Sequence, residues 1–286
     1  MSDTPSPNPT DANRAPDAPS SPEAHGVTPW ASPEPETDRP FTRSHAAATD
    51  ARQSAATRYR QLVTGGGWPT FIKYELLTTC LGDLPGAAGL ALRAKAYRHL
   101  LADLGPGSVI GRDVTLRRPD RIRIGRNCII EDHVVLDAKG DQGDGIIIRD
   151  NVFLGRGTIL SLRGGTIDIG PGTCISSNCR MGTLGTIRIG EKALVAAYTY
   201  LAGAGHRTDN PDITIADAPI DDRGGITVGD GAWLGAYTML MDGITVGEHA
   251  VVGAHSVVRD NIPPYAVAAG APAQFKKDRR AQPPSQ

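Results

Sequence analysis

Between Leu201 and Ile226 the chain reads Gly203-Ala204-Gly205-His206-Arg207-Thr208-Asp209-Asn210-Pro211, then Pro219-Ile220, then Asp221-Asp222-Arg223-Gly224-Gly225. His206 is the sole histidine of this stretch. An imidazole with an ordinary pKa near ~6.5 is suited to take a proton from a hydroxyl at neutral pH, which is what an attack by oxygen on a carbonyl requires. The other six histidines are less well placed. His25 and His45 lie in a polar leader, His99 falls on a helical stripe, and His133, His249 and His255 occupy outward positions of a repeat. Cys80, Cys128, Cys174 and Cys179 lack metal-ligand spacing, so packed, reduced thiols are expected and no metal is predicted.

The elements that must position His206 declare themselves by period. Val228, Leu234, Leu240, Val246, Val252 and Val258 recur every six residues, and Ala232, Thr238, Ile244, Ala250, Ser256 and Ile262 form a second series four positions behind. Helices and hairpin strands do not have this period. A solenoid whose coil has three flat sides of six residues does, with one aliphatic and one small residue turned inward on each side. Cys128 and Cys179 fall on the small inward position. Each coil opens with a phrase such as Ile122-Arg123-Ile124-Gly125 or Ile187-Arg188-Ile189-Gly190, and the key aliphatics stand at 124, 148, 169, 189, 228 and 246. Steps near 18 are three hexads, whereas the long step from Ile189 to Val228 contains the His206 stretch. An excursion of this length from a regular scaffold is more often functional than idle. Neighbouring coils would pair as parallel strands, and crossover statistics taken alone favour a right-handed path.

Residues 1–52 are rich in Pro, Ala, Ser, Thr, Asp and Glu and poor in aliphatics, so a disordered leader is expected there. Residues 53–107 read as helix: Phe71, Tyr74 and Leu77 follow Pro69, and Leu90, Ala94, Tyr97, Leu101 and Leu104 form an apolar stripe. Pro85-Gly86 separates two helices. Two roles are open to them: capping the open end of the prism, or peripheral attachment to a membrane through Lys73, Arg93, Lys95 and Arg98 beside Phe71, Leu76, Leu77 and Leu90. The solenoid is expected over 108–277, with a disordered tail at 278–286. A formal net charge of −1 and a low aromatic share give no reason to expect nucleic acid, whose binders usually show a basic face. The N-terminus has no signal-peptide pattern and no apolar run suits a membrane span, so a cytoplasmic protein is expected, with contact at the inner membrane face left open.

Gly229-Asp230-Gly231-Ala232-Trp233-Leu234-Gly235-Ala236, Asp242-Gly243-Ile244-Thr245-Val246-Gly247, Val252-Gly253-Ala254-His255-Ser256-Val257-Val258 and the run from Ile262 to Ala273 resemble the C-terminal signature of hexapeptide-repeat acyltransferases. Sugar O-acetyltransferases such as galactoside and maltose acetyltransferases are the most similar group, followed by xenobiotic acetyltransferases. The resemblance implies a left-handed parallel β-helix, a homotrimer with active sites between subunits, and acetyl-CoA as donor to a sugar or glycan acceptor. It places His206, 17 residues after Ile189, at the catalytic histidine, and the Ala236 N–H at the thioester carbonyl. Trp233 would wall the acceptor and the pantetheine arm. Gly235 and Ala254 would lie against the donor, Arg259 near its nucleotide end, and Lys276 and Lys277 at its phosphates. Asn178 and Asp209 are the acceptor-side candidates; Asp209, in the family's His-x-x-Asp arrangement, would orient the imidazole or bind the acceptor. Ser176 stands where the family often has asparagine. N-acetylation of an amino sugar would use the same groups. A γ-type carbonic anhydrase shares such a prism but needs three zinc-binding histidines, and a non-catalytic assembly solenoid has no need of the His206 stretch.

Overall fold

The computed structural model describes residues 52–140 and 142–281. The polar leader expected over 1–52 falls almost wholly outside the described residues, as does most of the tail after Ala281. Three sheets run the length of a parallel solenoid. The first face has seven strands from Asp103–Leu104 to Thr245–Val246, and the third has seven from Thr115–Arg117 to Val257–Val258. The second has nine, from Val109–Ile110 to Ala266–Ala269 and a closing strand, Gln274–Asp278. The aliphatics that announce each coil stand in one register column: Leu104, Ile124, Ile148, Ile169, Ile189, Val228 and Val246. The 39-residue step thus adds no coil, because Ile189 pairs directly with Val228.

Every member of the six-residue series from Val228 to Val258 is buried. At roughly 1.5–3 kcal/mol for each buried aliphatic, this ladder is the principal source of stability. Small inward positions filled by hydroxyls satisfy the corners: Thr158 donates to Ser176 O at 3.0 Å, Thr173 to Gly190 O at 2.7 Å and Thr238 to Gly235 O at 2.6 Å. Corners are turned by residues at positive φ, among them Asn127, Asn151, Lys192 and His249 on one line and His133, Asn178, Tyr198, Tyr237 and His255 on another. His133, His249 and His255 are therefore corner residues.

The solenoid is a left-handed β-helix of hexapeptide repeats, against the hand that crossover statistics alone favour. Those statistics rest on a twisted strand feeding a long crossover that packs back on its sheet. Here strands of two to four residues are joined by tight corners, many of them at positive φ.

Three helices precede the coils: α1 (Ala55–Val63), α2 (Trp68–Leu81) and α3 (Gly86–Ala96). Ser54 caps α1 by accepting from Thr57 N at 3.2 Å. The helices sit on the first coil: Tyr74 donates to Leu116 O at 2.8 Å, and Asp113 N donates to Gly82 O at 2.8 Å. The apolar stripe read from the sequence needs correction in this segment. Leu90 faces out, and the residue of α3 that turns inward is Arg93, only 2% exposed. Its guanidinium donates to Leu81 O at 2.9 Å, Leu84 O at 2.7 Å and Ile110 O at 2.9 Å, so it satisfies carbonyls at the end of α2 and joins them to the solenoid. Nor does the stripe stay helical to Leu104: α3 gives way to a short 3₁₀ turn at Tyr97–His99, and Asp103–Leu104 is already the first strand, ahead of the expected start at Ser108. Among the described residues no helix is long and apolar enough to cross a membrane.

Candidate active site

The long excursion leaves the third face after Tyr200–Gly203 and returns to the first face at Ile226–Val228. It begins as a small hairpin, with Gly205–His206 antiparallel to Ile220–Asp221 and Arg207 N donating to Pro219 O at 2.8 Å. Its return is pinned by the buried carboxylate of Asp242, which accepts from Arg223 N and from Gly225 N at 2.9 Å. His206 is exposed, and its Nδ1 lies 3.4 Å from Ala218 O. Asp209 does not hold the imidazole: its carboxylate pairs with Arg207, which keeps it below the usual carboxylate pKa. The group that orients His206 is thus a backbone carbonyl twelve residues on.

Beside His206 lies a groove of about 180 Å³ on the third face. Ser161, Gly182 and Ala202 stand side by side in register as its floor, and Arg163, Arg180 and Tyr200 also line it. A side chain at Gly182 would meet open space, so glycine here leaves room above the sheet. None of these residues stood out in the sequence, since they lie in three different coils. The signal was the step of 20 to 21 between coils, which puts Ser161, Gly182 and Ala202 in one column.

The expected donor residues lie elsewhere on the chain. Trp233, 50% exposed, sits on the second face. Ala236 and Ala254 mark the corner between the second and third faces, and the Ala236 N–H donates to no other described residue. At the matching corner position five and three coils earlier, Arg112 N and Arg156 N are occupied by Asp132 and Glu131. Gly235 permits close approach of coils, because a Cβ there would stand 2.5 Å from Ala254 N. Next to this line Tyr198, Tyr237 and His255 stack at 4.8 Å spacings. Asn178 is an exposed residue of the same corner at φ 58, where asparagine tolerates the left-handed region. Arg259 is exposed just past the third face, and Lys276 and Lys277 are exposed on the closing strand. Neither Trp233, Ala236, Ala254 nor Asn178 lines the groove at His206. Within one chain, the two sets occupy different corners and faces.

Residues 225–260 match the family described as bacterial transferase hexapeptide, six repeats. The chain carries the hexapeptide repeat of bacterial transferases. A probable acetyltransferase of Mycobacterium tuberculosis is 32% identical over 133 residues, a match covering 45% of this chain and 43% of that protein. The chain therefore spans less than half the length of the curated relative it matches. Among solved structures, a hexapeptide-repeat acetyltransferase of Vibrio cholerae complexed with acetyl-CoA is 19% identical, with 77% of this chain and 97% of that chain covered and a TM-score of 0.42. A galactoside acetyltransferase in complex with coenzyme A is 19% identical, covering 78% and 88%, with a TM-score of 0.40. An N-acyltransferase from Bacillus cereus in complex with coenzyme A and dTDP-4-amino-4,6-dideoxyglucose is 17% identical, covering 66% and 90%, with a TM-score of 0.46.

Of the four thiols expected to be packed, Cys128 and Cys179 are buried, Cys174 is half-buried and Cys80, on α2, is exposed. Burial pushes the Cys128 thiol up and that of Cys179 to about 11. No group of three or more His, Cys, Asp or Glu that could hold a metal occurs among the described residues.

Proposed function

We propose that this protein is an acetyl-CoA-dependent O-acetyltransferase that acylates a hydroxyl of a sugar or glycan, with His206 as general base. The observation that carries the reading is His206 itself: an exposed imidazole on the one long excursion among the described coils, over a groove floored by small side chains. With Nδ1–H donating to Ala218 O, the lone pair is left on Nε2. Nε2 takes the acceptor proton as the acceptor oxygen bonds to the acetyl carbon. The carbon–sulfur bond then breaks, and the proton passes to the departing thiolate. The unpartnered Ala236 N–H is a fixed donor for the oxyanion, a kind of contact worth about 2.7–4 kcal/mol. The family match and the name of the curated relative point to the same class of reaction.

The site is completed between copies in a homotrimer. His206 and the line Trp233, Ala236, Ala254 lie on different parts of one chain, so a neighbour must bring them together. The second face supports such packing: Val109, Ile129, Phe153, Cys174, Leu194, Trp233 and Val251 follow one another in one outward register column. A continuous apolar column on a solenoid face is a surface that association would cover. Gly235 and Ala254 keep the donor side narrow, and Arg259, Lys276 and Lys277 supply cations for its phosphates.

The test is release of coenzyme A from acetyl-CoA against a panel of sugars, amino sugars and nucleotide sugars. Transfer is expected with the wild type and lost with His206→Ala, while calorimetry gives the same acetyl-CoA affinity for both. Light scattering should report three copies of the 30.1 kDa chain. Undiminished transfer by a folded His206→Ala protein would end this reading.

A further inference from the structure

The groove beneath His206 has no carboxylate in its lining, and the Arg180 guanidinium at its edge has no partner among the described residues. Arg163, Arg180 and His206 line it, and none of its lining residues is Asp or Glu. The carboxylates on its margins are ion-paired, although the buried Oδ1 of Asp137 accepts no hydrogen bond from a described residue. Asp137, beside Ser161 in register, pairs with Lys139 at 2.9 Å. Asp221, opposite Gly205 in the hairpin, pairs with Arg223 at 2.7 Å, and Asp209 pairs with Arg207. Arg180 differs from these arginines, since its side chain makes no hydrogen bond or ion pair with any described residue. It stands directly beside Tyr200 in register, at the end of the strand whose next outward residue is the floor glycine, Gly182.

We infer that the groove selects an acceptor carrying a negative charge, a carboxylate or phosphate, which Arg180 grips while the sugar ring lies over Ser161, Gly182 and Ala202. This rests on the reading of His206 as the base. A guanidinium offers a planar fork of donors that matches a carboxylate or phosphate in two parallel hydrogen bonds, and it has no acceptor with which to favour a neutral hydroxyl over an anion. The floor is flat because its column presents Ser, Gly and Ala in succession. An anion anchored at Arg180 therefore leaves the ring free to slide its hydroxyl toward His206, at the other side of the same groove. A phosphate of the acyl donor is the other source of such a charge, and the experiment separates the two.

The full-length protein is titrated with glucuronate, glucose 6-phosphate and methyl glucoside, and the ring signals of His206, assigned with His206→Gln, are followed by NMR without acetyl-CoA. Kinetics with the same acceptors are run for the wild type, Arg180→Gln and, as a control on the first face, Arg188→Gln. The acidic sugars are expected to shift His206 at concentrations where methyl glucoside does not. Their kcat/KM should exceed that of methyl glucoside by about tenfold or more, through KM, as for other charge-assisted contacts. Arg180→Gln should erase that ratio with acetyl-CoA affinity unchanged, and Arg188→Gln should preserve it. Equal responses to charged and neutral sugars would overturn the inference. So would an Arg180→Gln protein that keeps the acceptor ratio and loses acetyl-CoA affinity, which would assign the guanidinium to the donor. Failure of the wild type to bind acetyl-CoA would instead remove the acyl-transfer reading, since the NMR arm reports on the groove alone.

Discussion

Residues 226–258 and residues 203–225 adjoin in sequence and obey different rules. In the former, each coil advances by 18 residues and every aliphatic of the series is buried. In the latter, Gly205 to Asp217 is exposed throughout, and order comes from a four-residue hairpin, an Arg207–Asp209 pair and Thr214 donating to Asp217. The regular coils spend their hydrogen bonds on one another and present a rigid edge. The excursion keeps few contacts of its own and borrows its position from that edge, through Asp242. A solenoid thus separates stability from chemistry along the chain, which lets either be changed with little effect on the other.

The largest test of that separation is His206→Ala. Turnover should fall by about 10²–10⁴-fold, the usual contribution of a positioned base, while the unfolding free energy moves by no more than about 0.5 kcal/mol, as for other surface changes. A comparable loss of stability would make the hairpin part of the scaffold. Leu240→Ala is the converse, removing a fully buried side chain from the regular coils. Denaturant unfolding should show a loss of about 2–5 kcal/mol, with acetyl-CoA affinity retained by the folded fraction.

Asp242→Ala falls between the two regions and should show both effects. Losing the acceptor for Arg223 N and Gly225 N should cost about 1–3 kcal/mol and lower turnover by less than His206→Ala does. Turnover at the wild-type level would mean that the excursion holds its own shape. The smallest effect concerns pH. Burial raises the Cys179 thiol from 9.0 to about 11, so the folded state holds a proton that the unfolded chain releases earlier. Stability from this group is intact below pH 9.0 and is lost as pH rises toward about 11. Cys179→Ala should flatten the alkaline limb of a stability–pH curve; an unchanged limb would assign that limb to other groups.

Much of the fold was legible because a hexapeptide coil writes its geometry locally. The column from Ile124 to Val246 could be set in register from the spacing of the coil-opening phrases, and the interruption at His206 is visible as a lapse in the pattern. Helical segments were harder. Leu90, Ala94, Tyr97, Leu101 and Leu104 fit a helical stripe, yet spacings of three and four carry no information on where a helix yields to a short strand. Arg93 reads as solvent-facing until the carbonyls of Leu81, Leu84 and Ile110 are seen to converge on it.

The chain by itself determined the period, the inward residues, the interruption and the one histidine within it, since each depends on neighbours a few positions apart. Only the tertiary structure decided that Ala218 O and not Asp209 holds the imidazole, that Asp242 ties down the return of the excursion, and that Arg180, Gly182 and Tyr200 meet beside His206. Those contacts join residues on successive coils or across a hairpin. Their partners are set by the stagger between coils and by where a loop folds back, and a one-residue change in a corner insertion would exchange every one of them without altering the repeat.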